Sequence, residues 1–182
     1  MIGYAICGSF CTHARAMDTL RTIRARGHEI LPIVSEIVYE TDTRFGTADD
    51  LISEIESICG RKVIHTIAAA EPLGPKTPLE LLIIAPCTGN TLAKMANGIT
   101  DTSVTMAAKA QLRADRRVLL GLASNDALSA NLQNIAALHT RRHITIAPMA
   151  MDDNIAKPYS LVCDFSAIPD LAESILQSRL PR

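Results

Sequence analysis

The sequence predicts an α/β protein built on a Rossmann-like, doubly wound parallel sheet of about six strands, in a three-layer α/β/α arrangement. Short apolar segments alternate with amphipathic segments along the 182 residues. Several apolar segments are apolar at consecutive positions, as strands covered on both faces require. This alternation is typical of a parallel sheet with helical crossovers. We expect residues 1–182 to form a single domain, because this length suits one substantial core.

Six segments are predicted to be strands. They are residues 2–7, 29–34, 62–66, 81–85, 117–122 and 143–147. Four stripes of apolar residues at helical spacing predict amphipathic helices. The stripes are Ala14, Met17, Leu20 and Ile23; Leu51, Ile52, Ile55 and Ile58; Leu128, Leu132, Ile135 and Leu138; and Ile168, Leu171 and Ile175. Ligands of such sheets bind beyond the carboxyl ends of the strands, so the residues that follow the strands form the candidate site.

Composition disfavours several classes of function. Eighteen basic and 19 acidic residues leave a net charge of -1, and aromatic residues make up 3%, which is unlike a general nucleic-acid binder. The cysteines at positions 7, 11, 59, 87 and 163 form no CxxC pair, which disfavours a zinc site or a disulfide framework. The amino terminus lacks a signal-peptide pattern and no apolar run reaches about 18 residues, so we expect a cytoplasmic protein.

The segment CGSFCTH, residues 7–13, follows the first strand and precedes a helix. Gly8 permits a tight turn, and the hydroxyls of Ser9 and Thr12 lie where free amides and the helix dipole favour an anion. Capping of the helix by Ser9 or Thr12 explains the same residues equally well. The segment is not a GxGxxG fingerprint, which argues against a dinucleotide site. Ser35 follows the neighbouring second strand at the same edge of the sheet, either as a cap or as a further contact.

Small polar residues crowd the end of the most apolar strand. Pro86 is expected to end this strand, and the residues that follow are Cys87, Thr88, Gly89, Asn90 and Thr91. Thr88 or Asn90 can cap the next helix, but one cap does not account for the whole group. The sequence therefore predicts that this turn holds a ligand, and a phosphorylated cofactor suits it.

Residues 85–105, APCTGNTLAKMANGITDTSVT, resemble the APxSANTxxKxxxGxxDxLxT signature of the homo-oligomeric flavin-containing cysteine decarboxylase superfamily. CGSFCTH resembles its first glycine–serine turn. Within the superfamily, residues 70–110, 125–135 and 152–162 are similar to the family of dipicolinate synthase B subunits. The resemblance implies an FMN cofactor. It implies that the FMN phosphate is surrounded by Gly8, Ser9, Thr12 and Ser35, and that the flavin site includes Pro86, Cys87, Thr88, Asn90, Thr91 and Lys94, the last on the signature helix.

The same resemblance implies a role in oxidising a dihydrodipicolinate-type precursor to dipicolinate, the calcium chelator of spores, together with an A subunit that carries the NAD(P)-binding domain. The lack of a GxGxxG motif fits that division. The resemblance also implies a homo-oligomer built from trimers, and the small residues of 100–110 suit close packing of helices. Asp101 and Thr105 are assigned to capping and packing.

Three other polar residues are weaker candidates. Lys76 and Lys157 are the basic residues expected near the site, as partners of a dicarboxylate or as ordinary solvated lysines. His13 is a candidate contact for an anion at the helix N-terminus. His65 is expected to be structural.

Departures from the superfamily pattern leave two other functions open. The PxMNxxMW substrate loop is replaced by LASNDALSANLQN, residues 122–134, and the catalytic histidine has no clear counterpart. Cysteine decarboxylation is therefore disfavoured. Position 89 is glycine where the signature has alanine. The alternatives are a stand-alone FMN-dependent reductase or decarboxylase for another small acid, and a flavin-free scaffold that stabilises a partner.

Overall fold

A computed structural model describes residues 1–74 and 76–178. Its strands are β1 (Ile2–Ile6), β2 (Ile30–Val34), β3 (Leu81–Thr88), β4 (Arg117–Ser124), β5 (Ile144–Ile146), β6 (Met149–Asp153) and β7 (Lys157–Cys163). Its helices are α1 (His13–Ala25), α2 (Glu36–Glu40), α3 (Ala48–Cys59), α4 (Ile67–Ala70), α5 (Gly89–Ala96), α6 (Ser103–Arg113), α7 (Leu132–His139) and α8 (Ile168–Gln177). Short 3-10 helices, Phe10–Thr12 and Phe165–Ala167, precede α1 and α8.

The seven strands form one mostly parallel sheet. Its order is β2-β1-β3-β4-β7-β6, and β5 pairs with β4 beside the first half of that strand. Strands β1 to β5 are parallel, whereas β6 and β7 form an antiparallel ribbon. The predicted Rossmann-like α/β class is confirmed. Strand order reverses between β1 and β3, and ligands of such sheets bind at this kind of switch point.

Helices cover both faces of the sheet. Alternate residues of β1 and β3 point to opposite faces: Ile2, Tyr4 and Ile6 pack in a core with α1, α3 and α8, whereas Ala5 packs in a second core with α4, α5, α6 and α7. All four side chains are at most 1% exposed, so the central strands are apolar at consecutive positions because both of their faces are covered. In the described residues, no helix is long and apolar enough to span a membrane.

One predicted strand was wrong, and two strands were not predicted. Residues 62–66 are not a strand, because they meet β2 only at a single parallel bridge between Ile33 and Ile64, after which Thr66 caps α4. The ribbon of β6 and β7 was not predicted, because its residues are mostly exposed and carry no apolar run. The sheet thus has seven strands instead of six.

Pro86 does not end its strand, contrary to the prediction. β3 continues to Thr88, and its pairing with β4 shifts register between Ile84 and Cys87. The Ala85–Pro86 peptide bond is cis. The turn that follows therefore begins two residues later than the sequence indicates.

The starts of two helices also differ from the prediction. α6 is capped by Thr102 and not by Asp101, in a capping box with Thr105. Leu128 lies in a turn before α7. The small residues of α6 pack inside this chain, since Thr105 is 1% exposed, so they do not by themselves indicate contact with a second copy. Pro75 lies outside the described residues.

Candidate functional site

A crevice of about 500 Å³ opens at the carboxyl edge of the parallel strands. Its volume is typical of sites for small molecules and cofactors. Five segments line it: residues 8–12 with Arg15, residues 44–45, residues 88–90, residues 123–126, and Asp152 with Val162 from the β6–β7 ribbon. The turns after β1, β3 and β4 meet here because parallel strands place their carboxyl ends at one edge.

The turn after β1 lines the crevice, and its hydroxyl side chains do not cap a helix. Gly8 lets α2 approach, since a Cβ at this position would lie 3.1 Å from Cγ2 of Ile37. Neither Ser9 nor Thr12 caps a helix with its side chain. The Thr12 hydroxyl donates to the Ser9 carbonyl at 2.8 Å and is buried, so it fixes the turn. The side chain of Ser9 makes no hydrogen bond within the described residues, and it lines the crevice.

Ser35 holds a buried hydroxyl that has no hydrogen-bond partner among the residues that the structure describes. It directly precedes α2 without capping it, it is 7% exposed, and its Oγ is unpartnered in the described residues. Its amide donates to the Ile6 carbonyl at 3.0 Å, which places it next to the end of β1. Ser35 does not line the crevice in this structure. An orphan hydroxyl of this kind costs free energy unless a further group completes it.

The turn after β3 divides its polar residues between capping and the crevice. The Thr88 hydroxyl accepts from the Thr91 amide at 3.2 Å and so caps α5. The Thr91 hydroxyl is buried and donates to the Cys7 sulfur at 3.4 Å. Asn90 is exposed, lines the crevice and has no hydrogen bond from its side chain to a described residue. Asn90 is therefore the side chain of this turn that is free to meet a ligand.

Four of the predicted cofactor residues lie behind or away from the crevice in addition to Ser35. They are Pro86, Cys87, Thr91 and Lys94. Pro86 and Cys87 are buried in β3, and burial raises the pKa of Cys87 well above its ordinary value. Lys94 forms an ion pair with Asp101 at 2.9 Å. Their assignment to the cofactor stays a prediction. Gly8, Ser9, Thr12, Thr88 and Asn90 do come together around one space.

Two arginines that were not predicted as site residues also line the crevice. Arg15 lies in the first turn of α1, and Arg44 lies in the loop after α2 next to Phe45. A cation in the first turn of a helix is disfavoured by the helix dipole. The absence of acidic residues from that turn, together with Arg15, was therefore a readable signal for an anion site. Arg44 carried no comparable signal, because only the fold brings its loop to β1.

The other candidate cations do not face the crevice. Lys157 pairs with Asp152 at 2.6 Å on the ribbon beside it. Lys76 precedes β3, and so lies toward the amino edge of the sheet, opposite the crevice. His13 is 8% exposed and its Nε2 donates to the Cys7 carbonyl at 2.9 Å, so it is not an anion contact. His65 stacks on Tyr39 with 3.6 Å between ring centroids, which fits a structural role.

The buried ring of His13 makes stability depend on pH. Burial lowers its pKa from the ordinary value of 6.5. The unfolded chain therefore binds a proton near pH 6.5 while the folded chain does not, and stability is lost as the pH falls from there toward the lowered pKa. We expect the free energy of unfolding, measured in urea, to fall more between about pH 7.5 and about pH 5.5 in the wild type than in His13→Gln. Equal slopes for the two proteins would contradict this origin.

A polar network forms the wall of the crevice after β4. The Asp126 carboxylate accepts from the Ser124 hydroxyl and, at 2.9 Å to each oxygen, from the Asn131 amide. Asn134 in turn donates to the Asn131 carbonyl oxygen at 2.9 Å. The hydrogen bonds from Ser124 and then Asn131 hold the pKa of Asp126 below its ordinary value. This wall occupies the segment in which the sequence departs from the decarboxylase pattern.

A family model described as Flavoprotein matches residues 2–178. The chain belongs to the flavoprotein family. Among curated relatives of this flavoprotein, the B subunit of dipicolinate synthase from Bacillus subtilis (strain 168) is 40% identical over 175 residues, which cover 96% of this chain and 88% of the relative. The predicted likeness to dipicolinate synthase B subunits is confirmed.

Solved structures of similar fold agree with the assignment of this chain to the flavoprotein family. The crystal structure of the dipicolinate synthase B subunit from Bacillus halodurans superposes with a TM-score of 0.88 at 36% identity, over 100% of this chain and 93% of that chain. The structure of AnUbiX in complex with FMN and dimethylallyl pyrophosphate superposes with a TM-score of 0.69 at 20% identity, over 100% and 97%. The second likeness shows the fold alone.

The crevice of this flavoprotein fits a phosphorylated flavin. Arg15 and Arg44 supply positive charge beside the turn at Gly8, and the side-chain amide of Asn90, which has no partner among the described residues, lines the same space. The Ser35 hydroxyl, unpartnered in the described residues, belongs to a residue that lies next to the end of β1. A phosphate near the β1 turn would meet the charge of these two arginines, whose side chains stack on Phe165 and Phe45 and form no ion pair in the described residues.

Proposed function

We propose that this flavoprotein is the B subunit of a dipicolinate synthase, which binds FMN and acts with an A subunit that carries the NAD(P)-binding domain. The complex oxidises a dihydrodipicolinate-type precursor to dipicolinate in the cytoplasm of a sporulating cell. The observation that carries the proposal is the crevice at the switch point, lined by Gly8, Ser9, Thr88 and Asn90. The 40% identity to a dipicolinate synthase B subunit supports the substrate class.

Different residues of the chain bind the two ends of the cofactor. Arg15, Arg44 and the turn at Gly8 and Ser9 bind the phosphate, and Asn90 orients the ring. FMN, when bound, supplies reversible hydride transfer. Cys7 and Cys87 take no part as nucleophiles, because burial raises the pKa of Cys7 to about 11 and that of Cys87 well above its ordinary value.

The proposal is tested first by the absorption spectrum of the purified protein, with and without added FMN. The second measurement is NAD(P)-dependent oxidation of a dihydrodipicolinate preparation by the chain with and without an A subunit. Activity that needs both chains and FMN supports the proposal. Activity of this chain alone on another small acid would favour a stand-alone FMN enzyme. A colourless chain that still raises the activity of the A subunit would favour a flavin-free scaffold.

Variants of Thr88 and Asn90, two positions apart in the same turn, distinguish ligand binding from helix capping. We expect Asn90→Ala to weaken binding of FMN roughly five- to 150-fold with little change in stability, because its side chain meets only the crevice. Thr88→Ala should lower the free energy of unfolding by about 0.5–2 kcal/mol, because it removes the cap of α5. Titration with FMN and urea unfolding of both variants provide the check. Unaltered affinity in Asn90→Ala would remove this residue from the flavin site.

We further propose a homo-oligomer built from trimers. One structural neighbour of the same fold is described as a dodecameric FMN-dependent decarboxylase. Light scattering at micromolar concentration measures the assembly directly, and a monomer would contradict it.

A further inference from the structure

The Asp126 carboxylate is held rigidly at the crevice wall. Ser124 and Asn131 donate to its oxygens, and Asn134 orients the Asn131 amide. Asn131 is 6% exposed, so the support lies beneath the surface. Asp126 itself is half-buried and lines the crevice. Three hydrogen bonds from these two groups fix the carboxylate, and its two oxygens, with about four lone-pair sites, keep acceptor capacity for a further donor.

This network lies directly behind the turn assigned to the flavin ring. A Cβ at Gly89 would lie 2.4 Å from the Ser124 hydroxyl oxygen, 2.6 Å from the Asn131 amide nitrogen and 2.9 Å from Oδ1 of Asp126. The superfamily signature has alanine at position 89. Glycine at this position allows the network to pack against the turn, because it has no Cβ to clash with these three side chains. Asn90 and Asp126 line the same crevice from adjacent segments.

The carboxylate can only accept hydrogen bonds. Its pKa lies below the ordinary value of 3.8 because Ser124 and Asn131 donate to it, so it is ionised at neutral pH. In the described residues it forms no ion pair. An ionised carboxylate requires a donor or a cation in whatever lies against it.

We propose that Asp126 accepts a hydrogen bond from the imide N–H of the flavin ring and lowers the reduction potential of the bound flavin. This inference rests on the proposed binding of FMN. The imide is the single N–H of the oxidised ring system, and it is therefore the donor that such a carboxylate selects. Reduction adds electron density to the ring, and a fixed negative charge beside the ring opposes it.

The test compares FMN with its N3-methyl analogue, which lacks the imide donor, in the wild type and in Asp126→Asn. We expect the wild type to prefer FMN over the analogue, and the preference to shrink roughly 10-fold in Asp126→Asn, because the variant lacks the charged acceptor. The midpoint potential of bound FMN should be higher in Asp126→Asn than in the wild type. A purely structural role of Asp126 would not change the preference between the two flavins.

The matched control is Asp152→Asn, which removes the same charge from the same crevice but from a carboxylate that Lys157 already pairs with. It should leave the preference unchanged, and an equal loss would overturn the assignment to Asp126. Equal affinity of the wild type for the two flavins would also overturn it, even if Asp126→Asn does not fold. Failure of the wild type to bind FMN at all would instead overturn the proposed function, and this inference with it.

Discussion

Gly89→Ala is expected to lower the free energy of unfolding by about 2–4 kcal/mol. Alanine is the better helix former by about 1 kcal/mol, so helix propensity alone predicts the opposite sign. The clash decides it, because the new methyl would lie within 2.9 Å of polar atoms of Ser124, Asn131 and Asp126. These atoms would have to move apart and lose their mutual hydrogen bonds. Urea unfolding of the two proteins measures the difference.

The double variant Gly89→Ala with Ser124→Ala is the matched control for this clash. Removal of the Ser124 hydroxyl removes the nearest atom, at 2.4 Å, so part of the lost stability should return. Non-additivity of this kind is expected only for groups in contact. A Gly89→Ala protein as stable as the wild type would show that the network can shift without cost.

Replacing Arg15 and Arg44 together with glutamine is expected to weaken binding of FMN by at least about 100-fold while leaving binding of riboflavin unchanged. Both arginines line the crevice beside the turn after β1. Charge-assisted hydrogen bonds to a phosphate are among the strongest in proteins. Riboflavin carries the same ring without the phosphate, so it reports whether the rest of the site is intact. Calorimetric titration of both ligands provides the comparison.

The control for net charge is the pair Arg21→Gln and Arg24→Gln on α1. Arg21 pairs with Asp18 and Glu54, and Arg24 donates to the His28 carbonyl, all away from the crevice. This control should change affinity for FMN only through long-range charge, which salt screens. A loss of affinity as large as that of the crevice pair, or an equal loss for riboflavin, would refute a phosphate site at Arg15 and Arg44.

Strands with two covered faces could be predicted from the sequence, and exposed strands could not. β1, β2, β3, β4 and β5 are short apolar runs because helices cover them, and each was predicted within a few residues. β6 is exposed after its first residue and β7 is exposed over its first three residues, and neither strand has a long apolar run or a regular alternation of apolar and polar residues. Residues 62–66 have the composition of a strand but make one bridge, which depends on the path of the chain beyond β2.

The candidate site was predictable where it follows a strand directly. Ser9, Thr88 and Asn90 follow the predicted strands, and the parallel arrangement brings them together. Arg44 could not be assigned, because its loop reaches the crevice through tertiary packing. Asp126 was missed although it lies just after β4, at the same edge of the sheet as Ser9. Thr88 caps α5 whereas Asn90 faces the crevice, and this difference depends on the direction of each side chain. Sequence spacing does not specify that direction.

The edge of β4 is shared by two strands of opposite direction. β5 pairs with Val118 to Leu120 in parallel, and β7 pairs with Ala123 and Ser124 in antiparallel orientation. The ribbon therefore joins the sheet only at the mouth of the crevice, beyond the last parallel pairing, and its tip at Ile155 is 89% exposed. Evolution can lengthen, shorten or replace such a ribbon while the parallel strands keep their register. The ribbon wall of the crevice, and with it the range of ligands that the crevice accepts, can thus change faster than the parallel strands that support it.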